Sequence, residues 1–417
     1  MLVLDERTRT QETSEHPAPA PHRRRSAVLL CGEELLHANM LNVIRLVLAV
    51  LVVFSHSYPL SRGNNTTEPL SILSQGAITF GSMAVNSFFA ISGFLIIRSY
   101  LGSTSLDAYF RRRVLRVCPG YIAALAFSAL LAAFTVNDAL LYARSLAGRD
   151  SVLSVLSMTY GPLDAAGIFP GNPHPGANGS LWTIQYEFLA YCVGAAYGLF
   201  KLFKYRVLWL CIVGAMLLLY GRASARGIDD HLLRFSVYFA VGATAHLFRE
   251  KIVRSWIVAA VALLILLASL RLSPWLAVVT PAAATYLLLY LGTLPVPQRL
   301  AWTQKTDISY GVYLYAFPIQ QSLVYWLDIR QPMVLFPVAL SLTVVCALVS
   351  WKLVEKPALL FRHAPERRTP ESGVQPVQSS TPAFPEAVPI SAGWTQPTVT
   401  YGTVGDHTRS NSPAGAE

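Results

Sequence analysis

Residues 40–60 read MLNVIRLVLAVLVVFSHSYPL. The run is continuously apolar and carries one charged side chain, Arg45. At 1.5 Å per residue, a helix of this length crosses a hydrocarbon core of about 30 Å. A strand would alternate apolar and polar residues, and an open sheet in lipid leaves backbone groups unpaired. Nine further runs of the same kind follow, at roughly 78–100, 117–136, 180–201, 206–221, 232–249, 255–271, 275–293, 308–327 and 333–354. The expected fold is all-α: a polytopic membrane protein with about ten transmembrane helices.

Composition supports the same class. Of 417 residues, 53% are hydrophobic and 13% charged, against about 45–50% and about 25% in soluble domains. A soluble enzyme, a disordered scaffold and a disulfide-rich module are therefore excluded. The net charge of +10 finds its reason in topology and not in nucleic acid. With ten helices and both termini inside, 24 of the 33 basic residues fall on the inner side and 8 on the outer, with Arg45 inside the first helix. That asymmetry favours cytoplasmic termini.

Residues 1–39 read as a cytoplasmic tail. Their small-residue triplet Ala18-Pro19-Ala20 precedes the apolar run instead of following it, so the first helix is expected to be retained. Residues 364–417, rich in Pro, Ser, Thr and Gly, read as a disordered cytoplasmic tail too thin for another catalytic domain. Between them lies a transmembrane domain, 40–357. No internal repeat of the transporter kind is visible. The five cysteines have no metal-like spacing; four lie in or beside apolar runs, where they are expected to be small buried hydrophobes.

Ionisable residues within lipid-spanning segments are costly, so each is a functional candidate. Among the 23 carboxylates, Glu187 alone sits well inside an apolar run; Asp307 and Glu355 read as inner-surface residues. In the first helix, Arg45 and His56 are eleven residues apart, almost three whole turns, so both project from one face about 16 Å apart. Asn86-Ser87-Phe88-Phe89-Ala90-Ile91-Ser92-Gly93-Phe94 follows in the second apolar run, which ends at Arg98. There Ser92 and Gly93 suit either close helix approach or the lining of a path. Arg111, Arg112, Arg113 and Arg116 then form a basic group before Pro119. Arg113 and Arg116, three apart, with Arg112 suit phosphate oxygens, although plain retention on the inner side gives the same pattern. The turn-rich segment Phe169 to Gly179 either covers an acceptor or merely connects helices.

Taken together, these segments resemble the acyltransferase 3 family of bacterial multi-pass membrane O-acyltransferases, over Leu41 to about Pro357. The parts occur in family order. They are Arg45 with His56, Phe88 to Phe94, the Arg-Arg-x-x-Arg element of Arg112, Arg113 and Arg116, and Leu181-Trp182-Thr183-Ile184 leading to Glu187. Ser309-Tyr310-Gly311-Val312-Tyr313-Leu314 and the Glu355-Lys356-Pro357 terminus complete the set. One position departs: many members carry a histidine before a Phe/Trp-Pro pair in the ninth helix, where this chain has Ala316-Phe317-Pro318. His56 must then carry any imidazole chemistry.

The resemblance implies transfer of an acyl group, usually acetyl, from cytoplasmic acyl-CoA to a hydroxyl of a cell-surface glycan, glycolipid or similar acceptor, at the bacterial cytoplasmic membrane. It implies no metal and no bound cofactor; acetyl-CoA or another acyl-CoA is a co-substrate. The expected catalytic residues are His56, Glu187 and Arg45, and the expected acyl-CoA-binding residues are Arg112, Arg113, Arg116 and Arg98. Ser92, Asn86, Trp182, Tyr310 and Tyr313 are candidates for lining the path of donor and acceptor. His56 is expected to act as base or nucleophile with Glu187 orienting its imidazole, by direct attack or through an acyl-histidine. The competing class is a transporter or flippase for a lipid-linked glycan or small molecule, which also places His, Arg and Glu in the membrane.

Overall fold

The computed structural model describes residues 40–136, 138–159, 168–271 and 274–362. Both expected tails and Cys31 lie outside the described residues. The chain runs α1 Leu41–Arg62, α2 Pro69–Leu73, α3 Phe80–Leu101, α4 Leu106–Ala133, α5 Ala139–Leu146, α6 Arg149–Leu156, α7 Ile184–Leu199 and α8 Arg206–Ala225. It continues through α9 His231–Leu247, α10 Trp256–Ser269, α11 Thr280–Gly292, α12 Ser309–Leu327 and α13 Pro332–Ser350, then a π-turn Trp351–Glu355 and α14 Lys356–Leu360. Each of the ten apolar runs is helical over most of its length. Among the described residues, five helical stretches are long and apolar enough to cross a membrane: α1, α3, α4, α8 and the continuous segment Pro332–Leu360.

The basic stretch between the second and third apolar runs is mostly helix. Ser105 accepts from the Ala108 amide and starts α4 there, so the helix runs through Arg111 to Arg116 before its apolar part begins. The apolar pattern starts late because this first part of α4 is rich in arginine, not because the backbone is irregular.

Large apolar side chains lie exposed along α8, α10 and α13, among them Leu208, Leu218, Leu264, Leu267, Val345 and Val349. Exposed apolar surface of this extent is a lipid-facing surface. The same fact corrects the expectation for the cysteines. Cys118, Cys192 and Cys346 are half-buried and Cys211 is exposed, because a thiol facing lipid needs no burial in protein.

The interior is organised around two contacts. α3 and α9 cross at backbone distance: a Cβ on Gly93 would lie 2.0 Å from the Phe239 carbonyl oxygen, and one on Gly242 2.0 Å from that of Ala90. Backbone atoms cannot yield as side-chain tips do, so a methyl group forces the helices apart. Gly242→Ala is therefore expected to cost about 3 kcal/mol, the upper part of the overpacking range. Thermal unfolding of the purified protein checks this, and an unchanged melting temperature would refute the close crossing.

The second contact is α12, buried from Gly311 to Val324. Its Gln320 donates to the Val53 carbonyl (2.9 Å) and to Ser57 Oγ (2.7 Å) of α1. Gln321 donates to the carbonyls of His174 and Gly176. α12 thus fixes both α1 and the segment 168–180 through hydrogen bonds made in the core.

Candidate active site

Arg45 lies in the second turn of α1 and reaches Asp307, which immediately precedes α12, at 2.8 Å. The same carboxylate oxygen accepts from Arg116 of α4 at 2.5 Å. Ser309 completes the carboxylate through its amide and hydroxyl. Burial opposes the charge on Asp307, but Arg45, Arg116 and Ser309 outweigh it and hold the carboxyl well below the usual range. One carboxylate therefore ties α1, α4 and α12 together.

Two adjoining cavities, about 500 and 510 Å³, open beside this junction and share Arg45, Ser92, Glu187 and Tyr310 as lining residues. Arg113, Arg116 and Tyr191 line the inner of them. Thr183 and Tyr313, whose hydroxyls are 2.7 Å apart, line the other. Arg113 lies 5.9 Å over the Tyr191 ring and donates to Ser99 Oγ, and Arg116 lies 5.9 Å over the Tyr310 ring. Arg113 and Arg116 thus share one cationic face, as their spacing predicts. Arg112 turns instead to Ser103, and Arg98 lies near Arg249 and His246; neither lines these cavities. Arg362 joins the group from the C-terminal side. Burial and then its neighbours Arg116, Arg113 and Arg112 lower its basicity, so an anion arriving here relieves crowding of positive charge.

His56 opens on a different space, an outer cavity of about 1070 Å³ lined also by His174, Pro175, Gly179, Trp182 and Phe317. Its ring meets that of Phe317 edge-on at 5.5 Å, and its buried Nδ1 has no hydrogen-bond partner. Ala316, at the departing position, is buried.

The segment 168–180 explains this division. It does not stay at the membrane surface. Asn178 is fully buried, donating to Ser128 Oγ in α4 and to the Leu314 carbonyl in α12 while accepting from the Ser180 amide. Irregular backbone at such depth is tolerated where protein satisfies it or a cavity borders it. The 3₁₀ turn Leu181–Thr183 stands between the two spaces, with Trp182 lining the outer and Thr183 the inner.

The re-entrant segment also sets the depth of Glu187. α7 begins deep in the protein, so Glu187 shares a cavity with Arg45 and accepts a 2.5 Å hydrogen bond from Tyr191. The expected pairing of Glu187 with His56 is not formed, because the two side chains open on different cavities. Asn86 is buried beside Tyr238 of α9 and lines none of these cavities. Ser92 and Gly93 divide the two roles open to them: Ser92 lines both inner cavities and Gly93 takes the close approach of α9. Asp307, Tyr191, Thr183, His174 and Arg362 were not singled out from sequence. His174 lay in a stretch already noted for its turns. The partners of Asp307 are 262 and 191 residues distant along the chain, beyond any local pattern.

The profile of an acyltransferase domain, that of the acyltransferase 3 family, matches residues 39–352. The chain belongs to the acyltransferase 3 family. This multi-pass membrane acyltransferase is 29% identical over 346 residues to an O-acetyl transferase of Shigella phage Sf6, covering 79% of this chain and 98% of the phage protein. It is 26% identical over 366 residues to nodulation protein 10 of Rhizobium leguminosarum bv. viciae, covering 78% and 94% of the two chains. No solved structure matches the acyltransferase.

Proposed function

We propose that the protein is an O-acetyltransferase of a bacterial cytoplasmic membrane, spanning it ten times with both termini cytoplasmic. It moves acetyl from cytoplasmic acetyl-CoA to a hydroxyl of a cell-surface glycan, glycolipid or related acceptor. The name of the phage relative supports the acetyl group. The observation that carries the reading is the succession of three features through the helices. These are a guanidinium group at the inner end, a pair of cavities leading from it, and an unpartnered imidazole facing an outer cavity beyond one turn of backbone.

In this reading Arg113, Arg116 and Arg362 hold the CoA phosphates. The pantetheine arm follows Arg45, Ser92, Tyr310 and Tyr313, and the thioester arrives at Thr183 and Trp182. The acceptor occupies the outer cavity with its hydroxyl on His56. His56 takes the hydroxyl proton as the oxygen attacks the thioester carbonyl. The tetrahedral oxyanion then collapses, the C–S bond breaks, and the CoA thiolate recovers the proton from the imidazolium. Glu187 and Tyr191 act on the donor side, at the level of Arg45. An acyl-histidine route uses the same groups in two steps. Single-turnover labelling without acceptor separates the routes, since only the second leaves label on the protein at His56.

Purified protein with radiolabelled acetyl-CoA and candidate glycan and glycolipid acceptors tests the function. Label transferred by the wild type and lost on His56→Ala supports it; acceptor moved across the membrane without acetylation refutes it. Arg113→Ala combined with Arg362→Ala spares the Asp307 junction. It is expected to raise the KM for acetyl-CoA about ten- to hundredfold, as loss of charge-assisted hydrogen bonds worth about 1.5–3 kcal/mol implies. Unchanged donor kinetics would return these residues to a purely topological role.

A further inference from the structure

A cavity of about 810 Å³ between α7, α8 and α9 takes no part in the mechanism above. α7 and α8 scarcely touch, and the gap between them is lined by Leu189, Val193, Ile212 and Met216 among other apolar residues. Polar groups are confined to Ser236 and the hydroxyls of Tyr186 and Tyr197, because Trp209 donates its indole N–H to Thr244. Exposed Leu189, Val193 and Leu232 mark its opening toward lipid. From Tyr186 to Tyr197 it extends along α7 for about 16 Å.

This groove is more than a furrow in the lipid-facing surface, because it ends on the reaction cavities. Phe89 lines both the groove and the cavity of Arg45 and Glu187, and stacks on Phe235 with ring centroids 4.4 Å apart. At the outer end Trp182, which lines the cavity of His56, packs on Phe235 at 5.6 Å and on His231 at 4.8 Å. A single layer of aromatic rings thus separates the apolar groove from both reaction spaces.

We propose that the groove holds the hydrocarbon chain of the acceptor, so that the acceptor is an amphiphile. Its hydroxyl-bearing head group reaches His56 in the outer cavity while its chain lies between α7 and α8. The inference rests on the proposed acetyl transfer and names the substrate class of that site. Acetyl-CoA has no long chain to place there, and its phosphates are met at the inner end. Moving a chain from bilayer to groove gains no hydrophobic energy, since lipid tails are as apolar as leucine. The groove therefore aligns the substrate, and selectivity comes from chain and head group held together.

The test uses the full chain in phosphatidylcholine nanodiscs, with a hexadecyl glucoside carrying a diazirine midway along its chain. Photolabelling is expected to concentrate on Val193, Ile212 and Met216 and to be displaced by unlabelled hexadecyl glucoside. Methyl glucoside and additional phosphatidylcholine are expected not to displace it. Ala190→Trp, and separately Val193→Trp, fill the groove and should lower labelling about tenfold while retention of tritiated acetyl-CoA stays unchanged, which shows the protein folded. Labelling spread over all lipid-facing helices, insensitivity to both variants, or displacement by phosphatidylcholine as an ordinary membrane lipid would overturn the proposal. The two readings fail separately. Transfer that survives His56→Ala with groove labelling intact removes the catalytic assignment alone, and loss of groove selectivity with His56→Ala inactive removes the groove alone.

Discussion

Replacing His56 with alanine is expected to lower acetyl transfer by about 10²–10⁴-fold, the contribution typical of a positioned general base, with expression and acetyl-CoA binding unchanged. The reason is local. The imidazole faces the outer cavity with its buried Nδ1 unpartnered and its ring held against Phe317. Its removal takes away a proton acceptor without breaking a hydrogen-bond network. His174 lines the same cavity but belongs to the re-entrant segment, which α12 holds through its backbone carbonyls. His174→Ala is therefore expected to disturb acceptor binding more than chemistry. The measurement is initial rate against acceptor concentration for both variants. A His56→Ala protein that transfers acetyl at the wild-type rate would sink the assignment, and equal losses of kcat in the two variants would make the imidazoles interchangeable.

Asp307→Ala is expected to destabilise the protein by about 3 kcal/mol, the low end of the range for removing one partner of a buried ion pair. The low end applies because the three side chains retain 13–23% of their exposure. The substitution leaves Arg45 and Arg116 facing each other without a counter-ion, and removes the ionic tie of α12 to α1 and α4. Asp307→Asn keeps the shape and an acceptor for Ser309 but not the charge, so its loss should be intermediate. Thermal unfolding of the two variants checks the order, and a melting temperature unaffected by Asp307→Ala would show that the junction contributes nothing to the fold. Because Arg45 and Arg116 line the cavity proposed to receive the donor, the KM for acetyl-CoA should rise in parallel with the loss of stability.

Part of the candidate site was legible in the sequence. Arg45 and His56 were recognised because each is a polar group in a segment whose other residues suit lipid, and eleven residues close on a whole number of turns. Arg113 and Arg116 were paired by the same periodicity. Both inferences use spacing within one helix, which backbone geometry fixes. The partner of Arg45 is not within reach of that argument, nor is the partner of Glu187. Tyr191 lies one turn along α7 from Glu187, yet only burial of both selects that hydrogen bond over a solvent-facing alternative.

The sequence by itself determined that the chain lies in lipid, which segments are helical, and which ionisable residues are out of place there. Each of these follows from the free energy of moving side chains and backbone groups between water and hydrocarbon, a property of composition and order. Tertiary structure alone decided which of those residues meet. The descent of residues 168–183 into the protein, held by Asn178 on Ser128 and Leu314 and by Gln321 on His174 and Gly176, moves Glu187 away from His56 and toward Arg45. The result is two separate spaces, that of Arg45 and Glu187 and that of His56, with one turn of backbone between them. Hydrogen bonds between segments 50 to 147 residues apart set that depth, and they depend on how the helices pack instead of on any local pattern.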